Sequence, residues 1–415
     1  MVEEARELDR LTSGDRHPIF AMPILLKDNI GTAGMNTTAG AIALKDNESQ
    51  DAFIVEQLKK NRALILGKVN LSEWAYYMCN GCPLGYSAIG GQTLNPYGRR
   101  VFETGGSSAG SGTAVAANYA VAAVGTETSG SILSPSSQNS VVGLKPTIGL
   151  LSRTGIVPIS STLDTPGPMT KNVVDNAILL SAMTGKDAKD KKSVSTSEDF
   201  IGAVMDSGSL KGKRLGVFKD LLETDSIYLK TANELRDLGA EIIEFTAPEV
   251  SMDGFLTLLN IDMKNDLPEY LDTHVQNKEE IPMRTLNEIV AFNLADSLLR
   301  IPYGQSIFDS ILKDSTSLDE LQLIKNSLEQ NGRLFFDTPI DQYQLDAILS
   351  INNYHAGFAA VAKYPALTVP MGYKETGEPI SLTFISKQFE ELNLLKLGHS
   401  FETATKIRKP PGVYK

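Results

Sequence analysis

Short apolar runs alternate along the chain with segments whose apolar residues recur at helical spacing. The pattern predicts helices over residues 1–12, 51–62 and about 390–405. It predicts buried strands over residues 24–26, 64–66, 215–218, 242–245, 347–351, 366–369 and 381–385. Strands that alternate with helices indicate an α/β layer architecture, in which helices cover a sheet.

Residues 101–143 form an unusual stretch, because they are rich in serine and glycine but nearly free of charge. They include nine serines, and their only charged residues are Glu103 and Glu127. A flexible linker would lack the apolar run TAVAANYAVAAV at 113–124, which predicts a buried helix between two Gly/Ser loops. We therefore expect this stretch inside the protein, where buried polar groups need hydrogen-bonding partners.

The composition changes again after residue 186. Residues 187–340 are rich in charges and helical patterns, whereas residues 341–415 return to short apolar strands and a final helix. We expect a single domain over residues 1–415, with a catalytic core at 18–186 and a variable cover over the substrate pocket at 187–340. Residues 341–415 would complete the core.

Charge and hydropathy narrow the class of protein. The 415 residues carry a formal net charge of −11 and no dense run of Lys or Arg, which argues against a nucleic-acid partner. No segment approaches the roughly 20 apolar residues that cross a bilayer, and the N-terminus is charged rather than signal-like. These features predict a soluble, cytoplasmic protein with no membrane partner, and they leave open the removal of an upstream signal or domain.

The sequence offers little for binding a metal. The only cysteines are Cys79 and Cys82, in the string CNGC, and no second pair could complete a zinc site. The four histidines, at positions 17, 274, 355 and 399, lie far apart in the sequence. We expect two incidental thiols and no metal, with a redox pair or half of a zinc site as the alternatives.

Two Gly/Ser loops, GGSSAGS at 105–111 and GTETSGS at 125–131, carry the candidate chemistry. Their small residues allow backbone N–H groups to approach a ligand closely. A phosphate-binding P-loop is disfavoured, because no Lys follows Gly110. The Gly-x-Ser-x-Gly pattern at 106–110 would make Ser108 an α/β-hydrolase nucleophile, with His355 or His399 as its partner. In a purely structural interpretation, the loop serines only bond backbone groups.

Both loops, taken with the string PILLKDNI at 23–30, resemble the signature of the amidase signature family. Further matches follow in order, namely VGLKPT at 142–147, SRTG at 152–155 and LDTPGP at 163–168. The resemblance covers about 150 residues. It implies an α/β/α domain with a large mixed twisted sheet, amide hydrolysis, and neither a metal nor an organic cofactor.

The resemblance also implies a Ser-Ser-Lys triad, which falls on Lys27, Ser107 and Ser131. Ser131 would be the nucleophile, and Ser107 would relay its proton to Lys27 from a cis peptide bond after Gly106. Lys27 follows an apolar strand, and burial disfavours the charged form of lysine, so its pKa is expected to lie below the usual 10.4 or so. A neutral Lys27 could then act as a base.

The oxyanion would meet backbone N–H groups of the second loop, from Thr128, Ser129, Gly130 and the nucleophile itself. Ser108 would support its neighbour by hydrogen bonding, or fill space. Arg153 and Asp164 match the family and would form a structural pair.

Several strings are similar to the peptide-amidase-like branch, which removes C-terminal amides. They are LSEW at 71–74, GQTLNPY at 91–97, SRTGIVPIS at 152–160 and TLNEIVAFN at 285–293. The expected substrate is a peptide amide or another neutral or apolar amide, with carbamates and esters open to the same chemistry. The enzyme would be a monomer or homodimer.

Three departures from the family pattern limit this expectation. Ser129 stands where the family has Gly, or Asp in the peptide-amidase-like branch, and Leu133 and Ser134 stand where other branches carry an Arg. Only 26 residues precede Lys27, so we expect a truncated chain or an open active site. The alternatives are a glutaminase subunit of a tRNA-dependent amidotransferase and an inactive homologue that only binds, which Ser129 would support.

Overall fold

A ten-stranded mixed sheet runs through this computed structural model, which describes residues 2–11, 16–206 and 208–412. Its strand order is β2-β1-β5-β7-β6-β11-β12-β10-β8-β9, and β3 and β4 form a separate hairpin. The strands are β1 (Pro23–Lys27), β2 (Leu64–Val69), β3 (Tyr86–Ser87), β4 (Gly91–Gln92), β5 (Ala122–Glu127), β6 (Val142–Lys145), β7 (Thr165–Thr170), β8 (Arg214–Phe218), β9 (Glu241–Phe245), β10 (Ala347–Ile351), β11 (Ala366–Tyr373) and β12 (Pro379–Ile385).

Helices flank this sheet, and two short 3₁₀ helices lie at Ile42–Leu44 and Glu73–Tyr76. The α-helices are α1 (Val2–Asp9), α2 (Phe53–Lys60), α3 (Ala109–Ala116), α4 (Leu133–Gln138), α5 (Val173–Met183), α6 (Phe200–Met205), α7 (Lys219–Thr224), α8 (Ser226–Asp237), α9 (Phe255–Thr273), α10 (Leu286–Leu294), α11 (Ser297–Arg300), α12 (Ser306–Lys313), α13 (Leu318–Tyr343), α14 (Ala356–Ala362) and α15 (Glu391–Thr405). A large mixed sheet covered by helices confirms the predicted fold class.

All seven predicted strands are present, within a few residues of their expected ends. Two of them, β8 and β9, belong to residues 187–340 and extend the sheet beyond β10 through parallel pairing. This region is therefore more than the cover that its composition suggested. The predicted helix over 1–12 is found at Val2–Asp9, while residues 1 and 12 lie outside the described part of the chain.

The predicted helix over 113–124 is wrong in its position. Helix α3 occupies Ala109–Ala116, and only the last three residues of the apolar run, 122–124, belong to strand β5. Asn118 adopts a positive φ of 64°, a left-handed conformation that ends a helix and that Asn tolerates better than most residues. A continuous apolar run does not by itself distinguish a buried helix from a buried strand.

Two large apolar clusters fill the interior. One surrounds the central sheet, and the other lies mainly beneath α9, α10, α12 and α13. Trp74, 2% exposed, joins the second cluster and packs edge-on against Phe308 of α12. The covering helices are thereby attached to the loop that follows β2. In the described residues, no helix is long and apolar enough to cross a membrane.

Candidate active site

Strand β1 carries Lys27 at its carboxyl end, next to the carboxyl end of β5. The two strands pair in parallel, with Leu26 opposite Val124, so both chains leave the sheet at the same edge. The preceding apolar residues of β1 are buried between the helical layers, and Lys27 itself is fully buried. Because the apolar strand is buried, the lysine at its end places an amine in the protein interior.

The Lys27 amine has three hydrogen-bonding neighbours. Its Nζ lies 2.7 Å from Oγ of Ser107, 2.8 Å from Oγ1 of Thr126 and 3.1 Å from the Thr126 carbonyl oxygen. Burial lowers the pKa of Lys27 to about 7, although the negative charges of Asp164 and Glu127 oppose this shift. A substantial fraction of the lysine is therefore neutral at physiological pH.

These contacts fit both protonation states of Lys27: an ammonium can donate to all three oxygens, whereas a neutral amine can accept a hydrogen bond from the Ser107 hydroxyl. A neutral amine has two hydrogens and one lone pair, and the Thr126 carbonyl can only accept a hydrogen bond. If the second hydrogen goes to Thr126 Oγ1, the lone pair remains for the Ser107 hydroxyl. Asn29 Nδ2 also donates to Thr126 Oγ1, at 3.0 Å, which fixes the threonine side chain.

Ser107 lies in the first Gly/Ser loop, and the Gly106–Ser107 peptide bond is cis, as predicted. The Ser107 carbonyl oxygen accepts a hydrogen bond from the N–H of Ser72 at 3.0 Å. Three positions later, on α3, Gly110 packs directly on the backbone of Asn70, where a Cβ atom would collide with the Asn70 carbonyl. The first Gly/Ser loop therefore packs against the segment that follows β2.

Ser131 lies beside this loop. The N–H of Ser108 donates to the Ser131 carbonyl at 3.1 Å, which brings the second loop against the first. The Ser131 side chain is half-buried, and its hydroxyl makes no hydrogen bond within the described residues. The structure therefore joins Lys27 to Ser107 by a hydrogen bond and holds the backbone of Ser131 against the next residue, Ser108, whereas no hydrogen bond links the Ser131 and Ser107 hydroxyls in the described residues.

The hydroxyl of Ser108, the nucleophile of the α/β-hydrolase alternative, forms its hydrogen bonds with backbone groups. Its hydroxyl donates to the Thr126 carbonyl at 3.0 Å and accepts from the Thr126 N–H at 3.2 Å, and the residue is fully buried. His355 stacks on Phe218 with ring centroids 4.0 Å apart, and its Nδ1 lies 2.6 Å from Ser350 Oγ. Neither serine nor histidine is placed for the roles that this alternative requires, and the Ser108 hydroxyl bonds Thr126 rather than Ser107.

His399, the second histidine considered as a partner for Ser108, is also not placed for that role. It lies on α15 and lines a surface cleft together with Leu210 and Leu238. None of the loop residues 105–111 or 125–131 borders that cleft.

The Glu127 carboxylate fastens the loop that carries Ser131. Oε1 accepts from the Gly130 N–H at 2.7 Å, and Oε2 accepts from the N–H groups of Ile132 and Leu133 at 2.7 and 3.0 Å. The side chain is 1% exposed, so these charge-assisted bonds replace its hydration. Gly130 has a φ of 87°, which a residue with a Cβ adopts only with strain.

This clamp changes the expected set of oxyanion donors. Gly130 was predicted as one of them, but its N–H is occupied by Glu127. The N–H groups of Thr128, Ser129 and Ser131 form no hydrogen bond among the described residues. These three groups can therefore meet a developing oxyanion without first losing a partner.

Asp164 holds the outer side of the same loop. Its Oδ1 accepts from Thr128 Oγ1 at 2.5 Å, and Oδ2 accepts from the N–H groups of Ile159 and Ser160 at 2.8 and 2.9 Å. Burial raises the pKa of this carboxyl above its usual value. The predicted partnership with Arg153 is wrong, because Arg153 pairs with Asp190 instead, at 2.5 Å.

The expectation of two incidental thiols is also wrong. Cys79 and Cys82 form a disulfide, with their Cα atoms 5.7 Å apart, a separation typical of such bonds. Gly81 between them has a φ of 75°, and the resulting turn brings the two cysteines face to face.

Sequence reasoning left three contributors to this site without a firm role: Asn29, Thr126 and Glu127. Asn29 follows the lysine by two residues, in a polar turn where a turn-capping role is the ordinary expectation for asparagine. Glu127 could have been recognised, because an isolated charge in a buried Gly/Ser segment requires several backbone N–H partners. Thr126 carries no comparable signal, since its role depends on which strand lies beside β1.

A cavity of about 410 Å³ opens beside the site. Asn29, Thr126 and Thr128 line its inner end, and the segment 153–161 forms one wall. Residues of α9, including Asp266 and Tyr270, form another wall. Ser131 is not among the lining residues, so the cavity reaches the site past Thr126 and Thr128.

The sequence model of the Amidase family matches residues 1–350, most of the chain. This chain belongs to the amidase family. Solved structures agree with this assignment. An amidase family protein from Bacillus anthracis is 40% identical with a TM-score of 0.93, and the match covers 99% of this chain and 83% of that one.

A native peptide amidase from Stenotrophomonas maltophilia is 36% identical with a TM-score of 0.92, over 99% of this amidase and 88% of that chain. A probable amidase from Arabidopsis thaliana is 36% identical over 98% of this chain and 81% of its own length. Bacterial A subunits of glutamyl-tRNA(Gln) amidotransferase are also similar. That of Thermoanaerobacter pseudethanolicus is 31% identical over 99% of this chain and 88% of its own length.

Proposed function

We propose that this amidase hydrolyses the C-terminal carboxamide of a peptide, or a similar neutral amide, through an acyl-enzyme on Ser131. One observation carries the assignment of the base: the buried Lys27 amine lies 2.7 Å from the Ser107 hydroxyl. The similarity to a peptide amidase over almost the whole chain supports the substrate class.

In the first step, Ser107 transfers its proton to Lys27 while it takes the proton of Ser131. The Ser131 Oγ attacks the carbonyl carbon, and the carbonyl oxygen becomes an oxyanion that the N–H groups of the loop stabilise. The intermediate collapses when Lys27 returns its proton through Ser107 to the amide nitrogen. Ammonia leaves, and Ser131 holds the acyl group as an ester.

In the second step, water repeats the same sequence of proton transfers. Ser107 and Lys27 take a proton from water, whose oxygen attacks the ester carbonyl. Collapse returns the proton to Ser131 and releases the carboxylic acid. Each group regains its starting state, and the three side chains with the backbone donors supply every proton transfer and charge stabilisation. The same steps serve carbamates and esters.

The residues after the nucleophile favour an uncharged group beside the scissile amide. Leu133 and Ser134 at the start of α4 offer no cation to a substrate carboxylate. Helix α9 and the segment 153–161 shape the cavity, so we propose that they select the acyl portion.

The test combines turnover with covalent labelling. Wild type should release ammonia from a dipeptide amide, and a fluorophosphonate should add its phosphonyl group to Ser131, located by peptide mass spectrometry. Ser131→Ala should abolish both signals, whereas Ser134→Ala, a matched half-buried serine on α4, should retain both. Labelling at Ser108, or no labelling of the wild type, would refute the assignment of the nucleophile.

A glutaminase subunit of an amidotransferase is the second candidate, and the similarity to the A subunits of amidotransferases favours it. Its substrate, free glutamine, bears a carboxylate and an ammonium group. Ammonia release from glutamine at a higher kcat/KM than from a dipeptide amide would favour this function over the first.

A further inference from the structure

The side chain of Asn353, two residues after β10, packs against the loop that carries the oxyanion donors. A Cβ atom placed on Gly130 would lie 3.0 Å from Asn353 Nδ2 and 3.4 Å from Asn353 Cβ. The neighbours of Gly130 in the chain are Ser129 and Ser131, whose N–H groups form no hydrogen bond in the described residues. The Asn353 amide thus lies beside the position that we propose for the scissile amide.

The Asn353 amide is available to a ligand. The residue is exposed, and neither the oxygen nor the nitrogen of its side chain forms a hydrogen bond in the part of the chain that the structure describes. The preceding residue, Asn352, is buried and uses Oδ1 to accept from the Ser381 N–H at 2.8 Å. Asn352 therefore holds the end of β10 in place, whereas Asn353 presents its amide to solvent.

Ser129 adds a second hydrogen-bond acceptor beside Gly130. Its side chain points towards the start of α14, because a Cβ atom on Gly357 would lie 3.8 Å from Ser129 Oγ. Within the described residues this hydroxyl has no partner, and it is not sealed from solvent. Ser129 and Asn353 therefore place two uncommitted polar side chains next to the oxyanion donors.

The cavity of about 410 Å³ does not include these groups, since neither Ser129 nor Asn353 lines it. The acyl portion of the substrate is assigned to that cavity, which reaches the site past Thr126 and Thr128. The acyl chain and the leaving nitrogen diverge from the carbonyl carbon, so the nitrogen points away from the cavity.

We infer that Ser129 and Asn353 form a subsite for the NH₂ group of a primary carboxamide, whose two hydrogens are accepted by Ser129 Oγ and Asn353 Oδ1. The inference rests on the proposed function, because it concerns the nitrogen that leaves when the Ser131 intermediate collapses. With both hydrogens held in this way, the nitrogen lone pair remains for the proton that Ser107 delivers, and ammonia leaves. An ester oxygen carries no hydrogen, so the subsite favours amides over esters.

Nα-acetyl-phenylalaninamide and the methyl ester of Nα-acetyl-phenylalanine test this inference, because they differ only in the leaving group. In Asn353→Leu, the ratio of kcat/KM for the amide to kcat/KM for the ester should fall by about tenfold relative to wild type. Asn353→Asp keeps an acceptor oxygen at this position and should retain the ratio of the wild type.

The matched control is Asn233→Leu, the same change at an exposed position of α8, which should also retain the ratio of the wild type. An unchanged ratio in Asn353→Leu would overturn the inference. An equal loss in Asn353→Leu and Asn353→Asp would overturn it as well, because the aspartate keeps the acceptor.

A binding measurement separates this inference from the proposed function. Calorimetric titration of Ser131→Ala with the same two compounds needs no turnover, and the amide should bind more tightly than the ester. The double variant Ser131→Ala/Asn353→Leu should lose this difference. If wild type hydrolyses neither compound but the binding order holds, the subsite stands and the proposed function fails. Equal binding of both compounds by Ser131→Ala would overturn the subsite.

Discussion

At the scale of single residues, Thr126 provides most of the polar surroundings of the Lys27 amine. It supplies two acceptors to Lys27 Nζ, at 2.8 and 3.1 Å, and Asn29 fixes its hydroxyl. When Lys27 is neutral, these two acceptors can take both of its hydrogens, which leaves the lone pair for the Ser107 hydroxyl. The negative charges of the nearby Asp164 and Glu127 favour the ammonium form and therefore raise the pKa of Lys27.

The first prediction concerns pH. If the neutral amine of Lys27 is the base, as we propose, and its pKa is about 7, kcat/KM for a neutral amide should rise with pH and level off above that value. Activity at pH 6 should be about one-tenth of the plateau. A pH–rate profile measures this, and His17→Ala should show the same profile. A profile that is flat or falls through this range would contradict a lysine base.

The second prediction concerns Glu127. Glu127→Gln replaces a carboxylate oxygen by an NH₂ group that cannot accept from the loop N–H groups. The displaced loop should misplace the oxyanion donors, so kcat should fall by about 100-fold with little change in KM. The matched control is Glu103→Gln, which alters the other, exposed charge of the same segment. Equal kcat values for wild type and Glu127→Gln would show that the clamp is dispensable.

At the scale of elements, the loop after the 3₁₀ helix Glu73–Tyr76 links the covering helices to the site. The Met78 carbonyl accepts from the N–H groups of Ile307 and Phe308, at the start of α12. At its other end, the Gly85 N–H donates to Ser72 Oγ at 2.8 Å, and the Ser72 N–H holds the Ser107 carbonyl. The Cys79–Cys82 disulfide closes this loop between the two attachments.

The third prediction concerns this disulfide. Closing so short a loop restricts the unfolded chain, so the Cys79→Ala/Cys82→Ala variant should lose about 2 kcal/mol of unfolding free energy. Urea denaturation measures the loss. A dithiol reductant should destabilise wild type by a similar amount and leave the double variant unaffected. Identical midpoints for oxidised wild type and the double variant would exclude a stabilising role.

At the scale of the whole molecule, strand order assembles the site from distant segments. Parallel pairing of β1 with β5 places Lys27 beside Thr126, 99 residues away in the sequence. Helix α9 reaches the other side of the loop 153–161 through Ser160 and Asp262, and so completes the cavity wall. The charged region after residue 186 thus contributes both to the sheet and to the substrate pocket.

Sequence patterns predicted seven of the ten strands of the large sheet, because short apolar runs with polar ends are needed wherever a strand is buried on both faces, but they missed β5, β6 and β7. They failed within the run 113–124, where a helix and a strand share one apolar composition and are separated only by a short turn at 117–121 that contains Asn118. They also failed for the partners of charged residues. Arg153 lies closer in sequence to Asp164 than to Asp190, but side-chain geometry favours the more distant aspartate.

The sequence by itself determined the α/β layering, because apolar spacing is a local property, and its resemblance to the amidase signature family supplied the candidate triad. Only the tertiary structure decided the burial of Lys27 beside Thr126, the capture of the Gly130 N–H by Glu127 and the pairing of Arg153 with Asp190. Each of these depends on burial and on neighbours brought from elsewhere in the chain, and electrostatic free energies depend on such surroundings more than on residue type.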